Sequence, residues 1–558
     1  MENSRITERV QRGGRAIKRR NLLKAVAGAG AAITAANSLK AQQAGPSPTG
    51  GLGEASSLNV QRWPNIQRSQ EVAASTQVGF NVTTGPGWVN NSGRAWGNGP
   101  MDECSRRIVE FVDGYSESKL TDPLVETINY LMVDTLASFY GGFESEPIRI
   151  SARLSQTMPG PCTVAGYGIK TSYEMATFTN AAMIRHTDFN TAPHNNEIFG
   201  GVLAVGEALH STGPQVLTAL VIAYEVVTAI GNTGQGNYDP SGWDCPYHSV
   251  GTAMAVGKLM GLNQDQLANA LSLALVPHMP MYVCHIGTQS MWKGMHSAEQ
   301  VRNGVWGATL AREGMTGPCA PFEGRDGLIA HIGPFTRDLR FPTSPDGRMA
   351  LETIHGNGGG YKRIASEGNT QNFHQNIAPD LIKWTTGEEI ASIDVQFHYF
   401  GWQEISDPPK WDPRNRETAD HSMPYNIARH ILDKQIYLDS FTRDKYMDPA
   451  ARELMNKITI RPLLDRAVGG GTVVTVRKKS GEQRTFMGKA VAPMSHDDLI
   501  QKHNRISDFM QVSREQRERA RTQWMNLRAC KDIAEAMQTI AKFGQPKPLS
   551  DRTPARIS

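Results

Sequence analysis

From residue 103 onward apolar positions recur at helical spacing: Ile108, Val109, Phe111 and Val112, then Val125, Ile128, Leu131, Met132 and Leu136. Residues three and four apart share one helix face, so each run predicts an amphipathic helix whose apolar stripe must pack on a neighbour. The pattern continues through 173–185, 201–211, 214–230, 248–260, 263–275 and 298–313. Asn263 and Gln266 stand at capping-box spacing, and Gly261 suits the end of the preceding helix. Such a cadence, broken by short Gly-containing turns, predicts an all-helical domain over 103–340.

Beyond residue 340 the texture changes. A Gly-rich stretch at 356–360 reads as a flexible segment, 390–397 and 472–477 read as strands, and 423–432 and 450–457 as helices. Ile458 and Ile460 add further β-branched positions. A smaller α+β domain over 341–496 is expected, followed at 497–558 by polar helices that pack back on the first domain. The fold class is therefore mainly α, with a large helical domain and a smaller α+β one.

A chain of 558 residues is longer than one hydrophobic core usually serves, which agrees with two domains. The formal charge of +4 is local: residues 1–40 hold nine Lys/Arg against two acids, and the remainder is about −3. Nucleic-acid binding and a polybasic membrane patch are thereby excluded as expectations. The six cysteines are scattered without a C-x-x-C pair, so a Cys-held zinc or iron–sulfur site is not expected, and the thiols are expected to be unpaired. No stable membrane anchor is expected. Lys18-Arg19-Arg20-Asn21-Leu22-Leu23-Lys24 precedes a weakly apolar Gly/Ala run, the order of a twin-arginine export signal. Residues 1–44 are assigned to that signal, with export to the periplasm through the twin-arginine machinery, and 45–102 to a linker or surface extension rich in Pro, Gly, Ser and Asn.

Four ordered blocks carry a family resemblance. The first is Ala181 to Asn190 with Asp188-Phe189-Asn190, then His194 and Gly201-Val202-Leu203-Ala204; the second runs from Ala223-Tyr224-Glu225-Val226 through Gly242-Trp243-Asp244 to Gly257–Leu262. The third is Thr288-Gln289-Ser290-Met291-Trp292-Lys293-Gly294-Met295-His296 with Arg302-Asn303-Gly304, and the fourth spans Tyr361-Lys362-Arg363, Thr370-Gln371 and His421–Ala428. Over roughly residues 103 to 510 the chain resembles the MmgE/PrpD family. The resemblance implies a helical domain with a lid-like smaller domain, a homodimer, and cofactor-free chemistry on a small carboxylic acid such as 2-methylcitrate dehydration, cis-aconitate decarboxylation or iminodisuccinate epimerisation.

Dehydrating a hydroxy acid requires a base, an acid and cations that hold carboxylates. Asp188, His194 and Lys293 are the catalytic candidates, with Asp188 and His194 separated by a short Pro193-containing loop and Lys293 at the position of the family's site lysine. As a cleft lysine, Lys293 is expected to add little to folding stability. Glu197, His248, His296, Lys362, Arg363 and Asn369 are the candidate substrate-binding residues. Glu197 stands where the family usually has a second His, Ala229 where a basic residue is usual, Asn369 where a lid His is common, and Ala330 or His331 where some members have Tyr. A carboxylate in place of His would repel a tricarboxylate, pointing to a substrate of lower charge. The Asp/His/Glu set could in principle hold a divalent ion, but H-E-x-x-H spacing is absent and the resemblance implies no metal or other cofactor. The competing readings are a dehydratase, an epimerase or decarboxylase begun by the same proton abstraction, and a non-catalytic acid-binding protein of the periplasm.

Overall fold

The computed structural model describes residues 101–234, 247–465, 467–544 and 546–550. The expected export signal, the expected extension up to residue 100, Gly242-Trp243-Asp244 and Cys245 lie outside the described residues.

Helix α1 (Glu103–Gly114) begins where Asp102 accepts a hydrogen bond from Ser105 N at 2.9 Å. It is followed by α2 (Asp122–Gly142), α3 (Tyr173–Arg185), α4 (Phe199–Ala208), α5 (Gly213–Gly231), α6 (His248–Leu259), α7 (Gln264–Leu275) and α8 (His296–Arg312). The expected capping box is present at α7, with Asn263 and Gln266 as its two members. Helix α5 is apolar on every side and buried; by length and composition it could cross a bilayer, and here it lies inside the first core. Helices α6 and α8 approach closely at Gly304, where a Cβ would stand 2.4 Å from the Ser249 carbonyl oxygen. A larger residue there would force the helices apart.

One correction concerns the first region, which is not wholly helical. Strands β1 (Cys162–Val164) and β2 (Ile169–Thr171) form a small antiparallel sheet. Three residues per strand are too few to establish a period-two pattern.

A second core surrounds a four-stranded sheet of β3 (Ile390–His398), β4 (Ile458–Leu463), β5 (Thr472–Lys478) and β6 (Gln483–Met487), in the order β4-β3-β5-β6. β3 runs parallel to β4 and antiparallel to β5. Ile393, Val395, Phe397, Val474 and Val476 point into this core, where Ile427 and Ile431 meet them from helix α10 (Met423–Asp433); short helix α9 (Arg416–Asp420) comes just before it. The edge strand β6 escaped the sequence pattern because Phe486 is its one buried residue.

The final helices α11 (His496–Phe509), α12 (Arg514–Trp524) and α13 (Ile533–Ile540) return to the first core through Leu499, Ile506, Trp524 and Ile540. Lys502 fixes this return by a buried pair with Asp134 at 2.7 Å. The glycine run at 356–360 is pinned: Gly358 O accepts from Met494 N at 2.8 Å and Gly360 O from Ala192 N at 2.7 Å. Gly360 has φ +73°, and a Cβ there would stand 2.5 Å from the Ala192 carbonyl oxygen. None of the five described cysteines forms a disulfide.

Candidate active site

The seam between the two cores gathers charge. Helix α3 ends at Arg185, and the chain turns through Asp188, whose positive φ of 53° aims its carboxylate back along the helix end. Arg185 donates to Asp188 Oδ1, and Lys362 Nζ donates to the same oxygen at 3.0 Å and to the Asp188 carbonyl at 3.1 Å. Burial alone would raise this carboxyl, but Lys362, Arg185 and Lys293 together hold it well below the usual carboxylate range. Asp188 is therefore a fixed anion and a weak base.

The loop that follows is held by its own polar side chains. Asn190 Nδ2 donates to Asn196 Oδ1 at 2.9 Å and to Glu197 Oε1 at 3.1 Å. Arg185 Nε lies 3.3 Å and His194 Nδ1 3.6 Å from Glu197. Burial pushes the Glu197 carboxyl up to about 7, against the pull of Arg185. The structure thus pairs His194 with Glu197, while Asp188 is bound by Arg185 and Lys362. Glu197 can stand as a neutral acid, which removes the repulsion that an ionised carboxylate would exert on an acidic substrate.

Lys293 occupies the turn before α8 and is wholly buried, at 0% exposure. Its Nζ donates to both oxygens of Asp420 at 2.9 Å. Burial pulls its pKa down, opposed by Asp420 and Asp188. Asp420, at the end of α9, also accepts from Arg416 at 3.1 Å and from His421 Nδ1 at 2.7 Å. His421 is pushed down to about 3 by burial and the nearby Lys293, so its imidazole is neutral. Glu367 completes the cluster: burial first, then Asp188, raises it to about 7, while Lys362 opposes. Asn369 reaches Glu367 by its backbone N at 2.6 Å and its Nδ2 at 2.9 Å.

Asp188, Lys293 and Lys362 therefore share one charged cluster, with Asn369 beside it through Glu367. His296 supports it by an Nδ1 hydrogen bond to the Lys293 carbonyl at 2.7 Å. His248 lies 3.4 Å from the His194 carbonyl and lines a surface cavity of about 640 Å³ with Pro193, Asn195, Arg337 and Arg340. Arg363 turns away to Asp498 at 2.8 Å and Pro493 O at 2.9 Å. Ala229 is packed in α5, and His331 lines a different surface cavity. Arg185, Glu367, Arg416, Asp420 and His421 were not singled out from sequence as site residues. His421, which opens the His421-to-Ala428 block, and Asp420 directly before it were the signal available for two of them.

Residues 106–336 match the family model of the MmgE/PrpD N-terminal domain and residues 373–526 that of the MmgE/PrpD C-terminal domain. A cis-aconitate decarboxylase of Aspergillus terreus is 25% identical over 389 residues, 63% of this chain and 77% of the relative. A human cis-aconitate decarboxylase is 22% identical over 419 residues, covering 70% and 85% of the two chains. A 2-methylcitrate dehydratase of Escherichia coli strain K12 is 26% identical over 408 residues, covering 64% and 78%.

Proposed function

Because the chain belongs to the MmgE/PrpD family, we propose that it is a cofactor-independent lyase that dehydrates a small 2-methylcitrate-like polycarboxylic acid. The observation that carries this reading is the charge balance at the seam. Arg185, Lys293, Lys362 and Arg416 face two fixed anions, Asp188 and Asp420, while Glu197 and Glu367 sit near neutral and can hold their protons. An excess of positive charge in a buried site suits a ligand with two or more carboxylates. Two carboxyls raised to about 7 suit proton transfer at neutral pH.

In this reading Lys362 and Lys293 hold substrate carboxylates, and Asp188 keeps Lys362 and Arg185 in place. Glu367, in the ionised form that a pKa of about 7 leaves populated at neutral pH, takes the proton from the carbon beside a carboxylate. As the C–O bond breaks, the leaving hydroxide gains a proton from the protonated Glu197, with His194 beside it, and departs as water. The new bond is a C=C. Asp188 and Lys293 are 1% and 0% exposed, so the substrate enters when the second core swings from the first as a lid. Export through the twin-arginine route to the periplasm and a homodimeric state belong to the same proposal. Exposed Met281, Val283, Ile286, Met291 and Trp292 support the latter as an apolar face.

The test is incubation of the pure protein with citrate-like acids in deuterated water. Alkene formation without release of CO₂ is expected. Release of CO₂ selects a decarboxylase, deuterium uptake without elimination selects an epimerase, and no exchange at any carbon overturns the enzymatic reading.

A further inference from the structure

Adjoining the Lys293–Asp420 pair, and sharing His421 with it, lies a group of side chains to which the lyase reading gives no chemical step. His285, Glu404 and His421 come from three separate segments, all three are buried, and each offers a ligand atom within 4.8 Å of the other two. The His285 and His421 ring centroids are 5.4 Å apart, and His285 Nδ1 is 3.6 Å from Glu404 Oε1. We propose that these residues bind one divalent first-row transition ion, with zinc(II) as the probe.

Donor chemistry points to that class. Two imidazoles and a carboxylate suit zinc, iron(II) or manganese, whereas calcium and magnesium prefer oxygen ligands throughout. An independent observation concerns orientation. His421 Nδ1 donates to Asp420 Oδ1 at 2.7 Å, which fixes the tautomer and leaves the lone pair on Nε2, the carboxylate–histidine arrangement that supports metal-ligating imidazoles. The backbone of His285 is anchored as well, its carbonyl accepting from Gln289 Nε2 at 2.7 Å. Asn369 Nδ2 lies 3.4 Å from Glu404 Oε2 and steadies that carboxylate.

The nearest cations do not stand unopposed, since Lys293 is paired with Asp420 and Lys410 with Asp407 at 3.1 Å. Three protein ligands leave a fourth position open, as in zinc sites that take water or a substrate oxygen. Cys284, His285 and His296 form a second triplet that shares His285. The set with the Asp420-oriented imidazole is the one assigned, because all three of its members are buried, whereas Cys284 is partly exposed.

This proposal stands apart from the lyase reading, since its readout is binding. The full chain, stripped with a chelator, is titrated with zinc chloride by calorimetry, and its melting temperature is followed with and without zinc; cobalt(II) provides a d–d absorption readout. One ion per chain is expected, with a higher Tm and cobalt bands. Glu404→Gln, nearly isosteric, and His421→Ala should each weaken zinc binding by about 100-fold, whereas Cys284→Ser should leave it unchanged. Absence of stoichiometric binding by the wild type overturns the site whatever the variants do. Wild-type affinity in Glu404→Gln, or loss of binding in Cys284→Ser, overturns the ligand assignment.

Discussion

Lys362 Nζ bonds both the carboxylate and the carbonyl oxygen of Asp188, at 3.0 and 3.1 Å, so one ammonium ties the turn after α3 to the chain leading into the second core. Both side chains are buried. Replacing Lys362 with Met keeps the stem's volume but leaves Asp188 with Arg185 as its remaining hydrogen-bonded cation. Losing one partner of a buried pair costs about 3 kcal/mol or more. Urea denaturation of Lys362→Met should show that loss together with at least a tenfold fall in turnover, and an unchanged midpoint would mean that the pair does not fix this turn.

The raised carboxyls of Glu197 and Glu367 set a pH dependence of known sign. Each titrates at about 7 in the folded chain against 4.5 for the free group, so between these values the folded state binds more protons than the unfolded state. Stability linked to them is complete below pH 4.5 and is lost as pH rises through 7. Depressed histidines such as His421 act the other way near pH 6, so the informative quantity is the difference between variant and wild type. A Glu197→Gln/Glu367→Gln protein should lack a decline of a few kcal/mol over that window. Chemical melts at pH 5 and pH 8 that give the same difference between the two proteins would show that neither carboxyl is raised.

The helices were legible because their periodicity is long and their caps are local: α7 and its Asn263 and Gln266 box follow from a dozen residues. Strands β3 and β5 were legible from β-branched runs, while β6, with Phe486 alone facing the core, carried no pattern. The site was legible only in part. Asp188, Lys293 and Lys362 stood out through block resemblance, but their partners depend on tertiary placement. Nothing local says that Lys293 is sealed against Asp420, 127 positions away, or that Arg363 turns to Asp498 while its neighbour Lys362 turns inward. The pairing of Glu197 with Arg185 is likewise a product of how the loop folds over the end of α3.

Export should depend on Arg19 and Arg20, because a twin-arginine receptor reads that pair and the Gly/Ala run after it is too weakly apolar for general secretion. In a bacterium with that pathway, a variant carrying Lys at both positions should accumulate in the cytoplasm with its leader uncleaved. Fractionation that finds it in the periplasm at the wild-type level would remove the assignment.

The Lys293–Asp420 pair provides the sharpest test of the site. A cleft lysine would add little to folding, but this one is buried and bonded to both carboxylate oxygens, so its removal leaves Asp420 to Arg416 and His421. Lys293→Met should therefore lower stability by about 3–5 kcal/mol. Lys293→Met/Asp420→Asn should recover part of that loss, because no unpaired charge remains, and the cycle of single and double variants isolates the coupling. If the ammonium acts on the developing transition state, kcat falls by about 10²-fold in the folded fraction; if it only holds a substrate carboxylate, KM rises with kcat nearly unchanged. A Lys293→Met protein as stable as wild type with unaltered kcat and KM would show that this lysine is neither sealed against Asp420 nor part of the site.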